Sequence, residues 1–209
     1  MTEARIEHGV GWSPEPAAFT AAGVGTLALA ALAGWSDLLL VVRGHVVPGW
    51  VLSGVLAVLA LVLWGTFRRA ARRAEASRLP GATRRAGWVP PLSALLIGVA
   101  ALGVAWGAVD DLGSGARYYV LRPTGPGGCT AVVRETSFLM IGNGEAYAVG
   151  RTGLAWGEAG SWVVDDGYRP VAGGTYELDW ERDGGVLRVS GTTGDPIVSG
   201  GEADIDCGW

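Results

Sequence analysis

Cys129 and Cys207 are the only two thiols in the chain. Two cysteines without a neighbouring histidine do not make a zinc site, which takes four Cys or His ligands. Their natural chemistry is with each other. With two cysteines the connectivity is forced, and the disulfide would close a loop of about 79 residues, worth at most roughly 4–5 kcal/mol on the chain-entropy account. Carboxylates are the other abundant reactive groups. They cluster as Asp110–Asp111, Asp165–Asp166, Asp179/Glu181/Asp183 and Asp204/Asp206. Two carboxyls facing one cleft can hydrolyse a glycosidic bond. Acids at alternate strand positions are instead the mark of a solvated face. Neighbouring pairs in turns, as expected for Asp110–Asp111 and Asp165–Asp166, rarely face a common substrate.

Residues 110–209 contain no His and no Lys. That removes Ser–His, Cys–His and Ser–Lys nucleophile pairs from this part of the chain. No nucleophile-elbow, zincin, Walker or dinucleotide motif is present in strand and helix context. Gly142-Asn143-Gly144 reads as a turn, not a phosphate cradle. Asp179-Trp180-Glu181-Arg182-Asp183-Gly184 echoes the opening of a calcium loop. The position that needs a bidentate Glu is Ser190, and the stretch reads as strand. No catalytic residue, metal ligand or cofactor is therefore expected. Exposed rings could stack on a sugar or peptide, and Trp156 and Tyr168, in Gly-rich stretches, are the candidate ligand contacts.

The elements that would carry these residues are of two kinds. Hydrophobic residues make up 49% of the chain and charged ones 17%, which excludes disorder and a nucleic-acid-binding composition. Apolar runs cover about 17–37, 49–67 and 88–109, the first continuing through Leu38–Val42. At about 19–22 residues each they reach roughly 30 Å as helix, the thickness of a hydrocarbon core. Trp12, Trp35, Trp50, Trp64, Trp88 and Trp106 stand near the ends of these runs, where indoles favour the membrane interface. Three transmembrane helices are expected. Asp37 and His45 fall at one end of the runs, with no charged pore lining to suggest a transporter.

Arginine sets the orientation. The segment 68–87 holds Arg68, Arg69, Arg72, Arg73, Arg78, Arg84 and Arg85 against one acid, Glu75, whereas the link at 43–48 holds only Arg43. Short Arg-rich loops stay cytoplasmic. The expected arrangement is a cytoplasmic N-terminal tail at 1–16, a helical region at 17–109 with its Arg-rich loop inside, and an extracytoplasmic segment at 110–209. The tail at 1–16 carries three Glu and one Arg, which is not the positive start of a cleaved signal peptide. All sixteen basic residues are Arg, a bias that fits GC-rich bacterial coding and a bacterial plasma membrane. Small residues at Ala22, Thr26, Ala30 and Gly34, and at Gly103 and Gly107, allow close helix approach inside the bundle or in a homo-oligomer.

Residues 110–209 hold twenty-one of the thirty-five glycines, between short β-branched or aromatic runs. Strands are expected near 118–121, 130–135, 138–141, 146–149, 161–164, 175–180 and 186–189, with a weaker one at 203–207. Seven or eight strands fit a small all-β antiparallel sandwich or barrel. The clearest unit is Thr175–Ser190. Tyr176, Leu178 and Trp180 alternate with acids, Asp183-Gly184-Gly185 turns the chain, and Leu187 and Val189 return. The functional expectation is a non-catalytic, membrane-anchored envelope protein whose external domain binds or senses another envelope protein or a glycan. An accessory subunit of a membrane complex, or a carboxylate-dependent hydrolase, are the alternatives.

Overall fold

The computed structural model of the chain describes residues 16–76, 89–182 and 184–208. The N-terminal tail and most of the Arg-rich loop expected from the sequence lie outside them. Three long helices come first: α1 (Pro16–Trp35), α2 (Gly49–Ala76) and α3 (Val89–Gly113). Two carry spans long and apolar enough to cross a membrane, Gly49–Thr66 and Pro91–Gly113, while the apolar part of α1, Ala21–Trp35, is shorter. The expectation of three membrane-length helices thus reduces to two plus one shorter segment. α2 runs on past Phe67 into the arginines, where the Arg68 guanidinium lies 3.7 Å over the Trp64 ring.

The helices pack through small residues. Ala30 and Ala100 are fully buried, and Ala60, Ser53 and Ser93 also face inward. A Cβ on Gly103 would meet Gly34 O at 3.0 Å, and one on Gly107 would meet Trp50 Cβ at 2.6 Å. The four-residue small ridge is therefore used inside the bundle at Ala30 and Gly34, while Ala22 is exposed. Large aliphatic residues, including Leu29, Val55, Val58, Leu95 and Leu102, point outward.

Leu38–Val42, read from the sequence only as a continuation of the first apolar run beyond the helix expected at 17–37, is strand β1. It forms a hairpin with β2 (His45–Pro48) through Arg43 and Gly44, both at positive φ. A two-residue hairpin turn of this kind requires such backbone, and glycine supplies it at no steric cost. The free edge of β1 pairs with β6 (Leu154–Trp156), a strand not anticipated from the sequence. The hairpin between α1 and α2 is thereby built into the sheets of the C-terminal half.

Among the described residues the strands make three antiparallel sheets. They are β2-β1-β6, then β10-β7-β5-β4-β3, and finally β11-β9-β8. The second sheet contains β3 (Arg117–Val120), β4 (Thr130–Phe138), β5 (Ile141–Val149), β7 (Gly160–Asp165) and β10 (Val198–Ser199). The third contains β8 (Tyr176–Trp180), β9 (Gly185–Val189) and β11 (Glu202–Ile205), and a short helix α4 (Pro170–Gly173) precedes it. One face of the five-stranded sheet packs on the third sheet around Val133, Trp162, Val164, Leu187 and Ile205. The opposite face meets the hairpin around Leu39, Val132, Tyr147 and Ala155.

The β8–β9 unit matches its sequence pattern. Leu178 pairs with Leu187, while Glu177, Asp179 and Glu181 are exposed. Two local readings change. Phe138–Ile141 is not a strand of its own but the tip joining β4 to β5 through Leu139 and Met140. Gly142-Asn143-Gly144 is not a turn but part of the first half of β5. A Cβ on Gly144 would fall within the Trp162 indole. Gly144 clears space for a core tryptophan, and a Cβ on Gly142 would meet Tyr168 O at 2.5 Å, so these glycines permit close approach rather than bend the chain.

Candidate functional site

The disulfide expected from the two cysteines is present, with Cα atoms 5.9 Å apart and a sequence separation of 78. Cys129 is buried just before β4, and Cys207 follows β11. The bond ties the start of the five-stranded sheet to the end of the third sheet.

The densest cluster of charged side chains lies where the helices meet the five-stranded sheet. Arg134, on β4, has 13% of its side chain exposed. Its Nε and Nη2 donate to Asp111 Oδ1 at 3.1 and 2.8 Å, and Nη1 donates to Glu145 Oε1 at 3.1 Å. Nη2 also donates to Asp110 Oδ2. Tyr118 Oη donates to Asp111 Oδ2 at 3.0 Å, and Trp50 Nε1 donates to the same oxygen at 2.6 Å. Tyr147 Oη donates to Glu145 Oε2 at 2.7 Å. Asp110 and Asp111 thus sit in the last turns of α3 and converge on one cation, contrary to the expectation of divergent carboxyls in a turn.

Local chemistry explains why this cluster forms. Burial works against the Arg134 charge, but Glu145, Asp111 and Asp110 outweigh it and hold the guanidinium above the ordinary arginine range. Burial beside these acids pushes the Tyr118 and Tyr147 hydroxyls above the usual tyrosine range, so both stay protonated donors. Arginine suits the position because its planar fork offers several fixed donors at once. A cleft of about 330 Å³ lies on one side of the cluster, between it and Trp35, Asp37 and Trp106. An open groove of about 390 Å³ lies on the other, over Thr136, Asn143, Glu158 and Ser161. Asp110, Arg134 and Glu145 line both. The carboxylates here are occupied by a cation and by hydroxyl and indole donors, an arrangement that fixes elements relative to one another.

A second carboxylate is more deeply placed. Glu135 is 1% exposed and accepts from Val171 N at 2.7 Å and Ala172 N at 3.0 Å, at the start of α4. Burial, the largest influence, pushes its carboxyl above the ordinary glutamate range, against the two amide bonds and the Arg169 and Arg117 charges. A folded pKa above the unfolded one gives stability that is complete below the unfolded value and lost as pH rises through the folded value. Glu135→Gln, which cannot ionise, should therefore lose less relative to wild type as pH rises through that window. Thermal midpoints of both proteins across mildly acid to neutral pH would check this. A difference that stays flat or grows with pH would contradict it.

Of the ring candidates, Trp156 stands on β6 and is 75% exposed, beside the hairpin. Tyr168 is half-buried against the main core, and its hydroxyl lies within 3.2 Å of Thr175 Oγ1 and 3.3 Å of Asp195 Oδ2. The two are not brought together with each other or with Arg134. Asp179 bonds Arg188 on the neighbouring strand at 3.1 Å, in the manner of a surface cross-strand pair. Among the described residues no group of three or more His, Cys, Asp or Glu is arranged to hold a metal ion. Sequence reading missed Arg134 and Glu135. The signal available was an Arg and a Glu directly after the apolar stretch Ala131-Val132-Val133, inside the strand expected at 130–135. No protein-family model matches this chain, and neither a curated protein nor a solved structure matches it at a significant level.

Proposed function

We propose that the chain is a multi-pass plasma-membrane protein of the bacterial envelope. Its N-terminus is cytoplasmic, and its β region is held outside as a non-catalytic module that binds or senses another envelope protein or a glycan. The observation that carries this reading is the joint between the two halves. The hairpin linking α1 to α2 extends a sheet through β6, and Arg134 grips the last turns of α3. Whatever engages the β region acts on a body mounted directly on the helix ends, not on a tethered tail.

The helices support the membrane part. They bury alanine, glycine and serine and expose leucine and valine, the reverse of a soluble bundle and the pattern expected where lipid covers the outside. Arg68, Arg69, Arg72 and Arg73 lie at the far end of α2 from the hairpin, which fits the positive-inside orientation. The non-catalytic part is supported by the use made of the carboxylates. Glu135, Asp111 and Glu145 are each spent on partners within the fold. Trp156, exposed beside the hairpin, is the proposed contact ring.

A subunit role in a larger membrane assembly is the second reading, favoured by the outward aliphatic belt, which a foreign helix could cover in place of lipid. Particle size and composition in mild detergent separate the two.

Orientation gives a direct test. Single cysteines are placed at Ser77 and at Thr193, the latter exposed between β9 and β10. On intact cells an impermeant maleimide should label position 193 and spare position 77. Labelling of 77 alone would invert the topology and remove the reading.

A further inference from the structure

The tip between β4 and β5 presents four consecutive large apolar side chains to solvent. Phe138 is 61% exposed, Leu139 85%, Met140 68% and Ile141 53%. A run of this kind on a soluble surface marks a contact with something apolar, and its place in the fold indicates what that is.

Side chains on one face of a sheet follow from the register. Tyr118 pairs with Arg134, Arg134 with Glu145, Thr136 with Asn143, and Phe138 with Ile141. Phe138 and Ile141 therefore share the face that carries Arg134, and that face is the one that meets α3 through Asp110 and Asp111. Val163, paired with Asn143 on the same face, is also exposed. The hairpin covers one end of this face, the helix ends cover the middle, and the Phe138–Ile141 end extends beyond them. The tip is also tied to the end of α3. Ser137 N donates to Ser114 O at 2.8 Å, just past the helix. On α3, Val109 and Leu112 are exposed.

We infer that the Phe138–Ile141 tip inserts into the outer leaflet of the same bilayer that α2 and α3 cross, at the boundary between headgroups and acyl chains. The inference rests on the membrane reading above. A sheet face that looks toward the helix ends looks toward the lipid around them wherever it overhangs. Asp165 and Asp166 flank the tip, Asp165 paired with Ile141. The attraction is therefore apolar and needs no anionic lipid. A protein partner would have to reach the tip between the sheet and the bilayer surface.

The test uses the full chain in phosphatidylcholine vesicles with an environment-sensitive fluorophore on one introduced cysteine, the native pair remaining oxidised. The probe sites are M140C at the tip, L102C on the outward side of α3 and T193C in an exposed loop. Nitroxide-bearing lipids should quench the probes at 140 and 102 and spare 193, with a blue shift at 140. Quenching at 102 but not at 140 overturns the tip insertion and leaves the membrane reading standing. No quenching at 102 overturns the membrane reading itself. A blue shift at 140 without quenching, lost when the protein is diluted in lipid, means that a second copy covers the tip and overturns the proposal. Quenching at 140 confined to vesicles containing anionic lipid overturns the apolar account.

Discussion

Replacing Arg134 with alanine is expected to cost about 3–5 kcal/mol of stability, the range seen when one partner of a buried ion pair is removed. The cost does not come from the attraction lost. It comes from the carboxylates left behind, since Asp111 has 11% and Glu145 28% of its side chain exposed. Without the guanidinium they sit close together, poorly hydrated and facing like charge. Asp110 is 53% exposed and can turn to water, so its share is small. Arg134→Lys should fall between wild type and alanine. An ammonium keeps the charge but cannot reach Asp111, Asp110 and Glu145 from one plane. The control is Arg188→Ala, whose pairs with Asp179 and Glu202 are exposed and should contribute within about 1 kcal/mol. Unfolding of the full chain in mild detergent would measure all three. Equal losses for Arg134→Ala and Arg188→Ala would remove Arg134 as the joint between helices and sheet. Limited proteolysis around residues 114–116 should also accelerate in Arg134→Ala and not in Arg188→Ala.

Loss of the disulfide is the second large effect. Cys207→Ser is expected to lower stability by about 2–5 kcal/mol, the usual cost for a native bridge in a small extracellular domain. Two features put it toward the upper part of that range. The bridge spans 78 positions, and a long loop leaves the unfolded chain much freedom to regain. Cys129 is also 1% exposed, so the variant keeps a buried thiol facing a polar hydroxyl. Cys129→Ala combined with Cys207→Ala removes that second cost and should recover a part of the loss. Reductant should lower the midpoint of wild type toward that of the double variant and leave the variants unmoved. A wild-type midpoint that reductant does not shift would show that the bridge contributes nothing.

What could be read from the sequence was what depends on short stretches or on composition. The tryptophans and arginines bounded the apolar runs. The disulfide followed from two cysteines alone in one segment. The β8–β9 hairpin was legible because Tyr176, Leu178 and Trp180 alternate with acids before a Gly-rich turn, and period two shows itself within six residues. The readings that failed or stayed open were those in which a local signal had two outcomes. Leu38–Val42 is an apolar run that could extend a helix or form a strand. The unpaired edge of β6, more than a hundred residues later, decides it. Gly142-Asn143-Gly144 is a turn signal taken alone, and the Trp162 ring on the neighbouring strand makes position 144 a place where only glycine fits. The partners of Arg134 were not readable, because its acids lie 11, 23 and 24 positions away. Charge on a chain tells which groups must find partners or water, and only the folded geometry tells which partner comes within three ångströms.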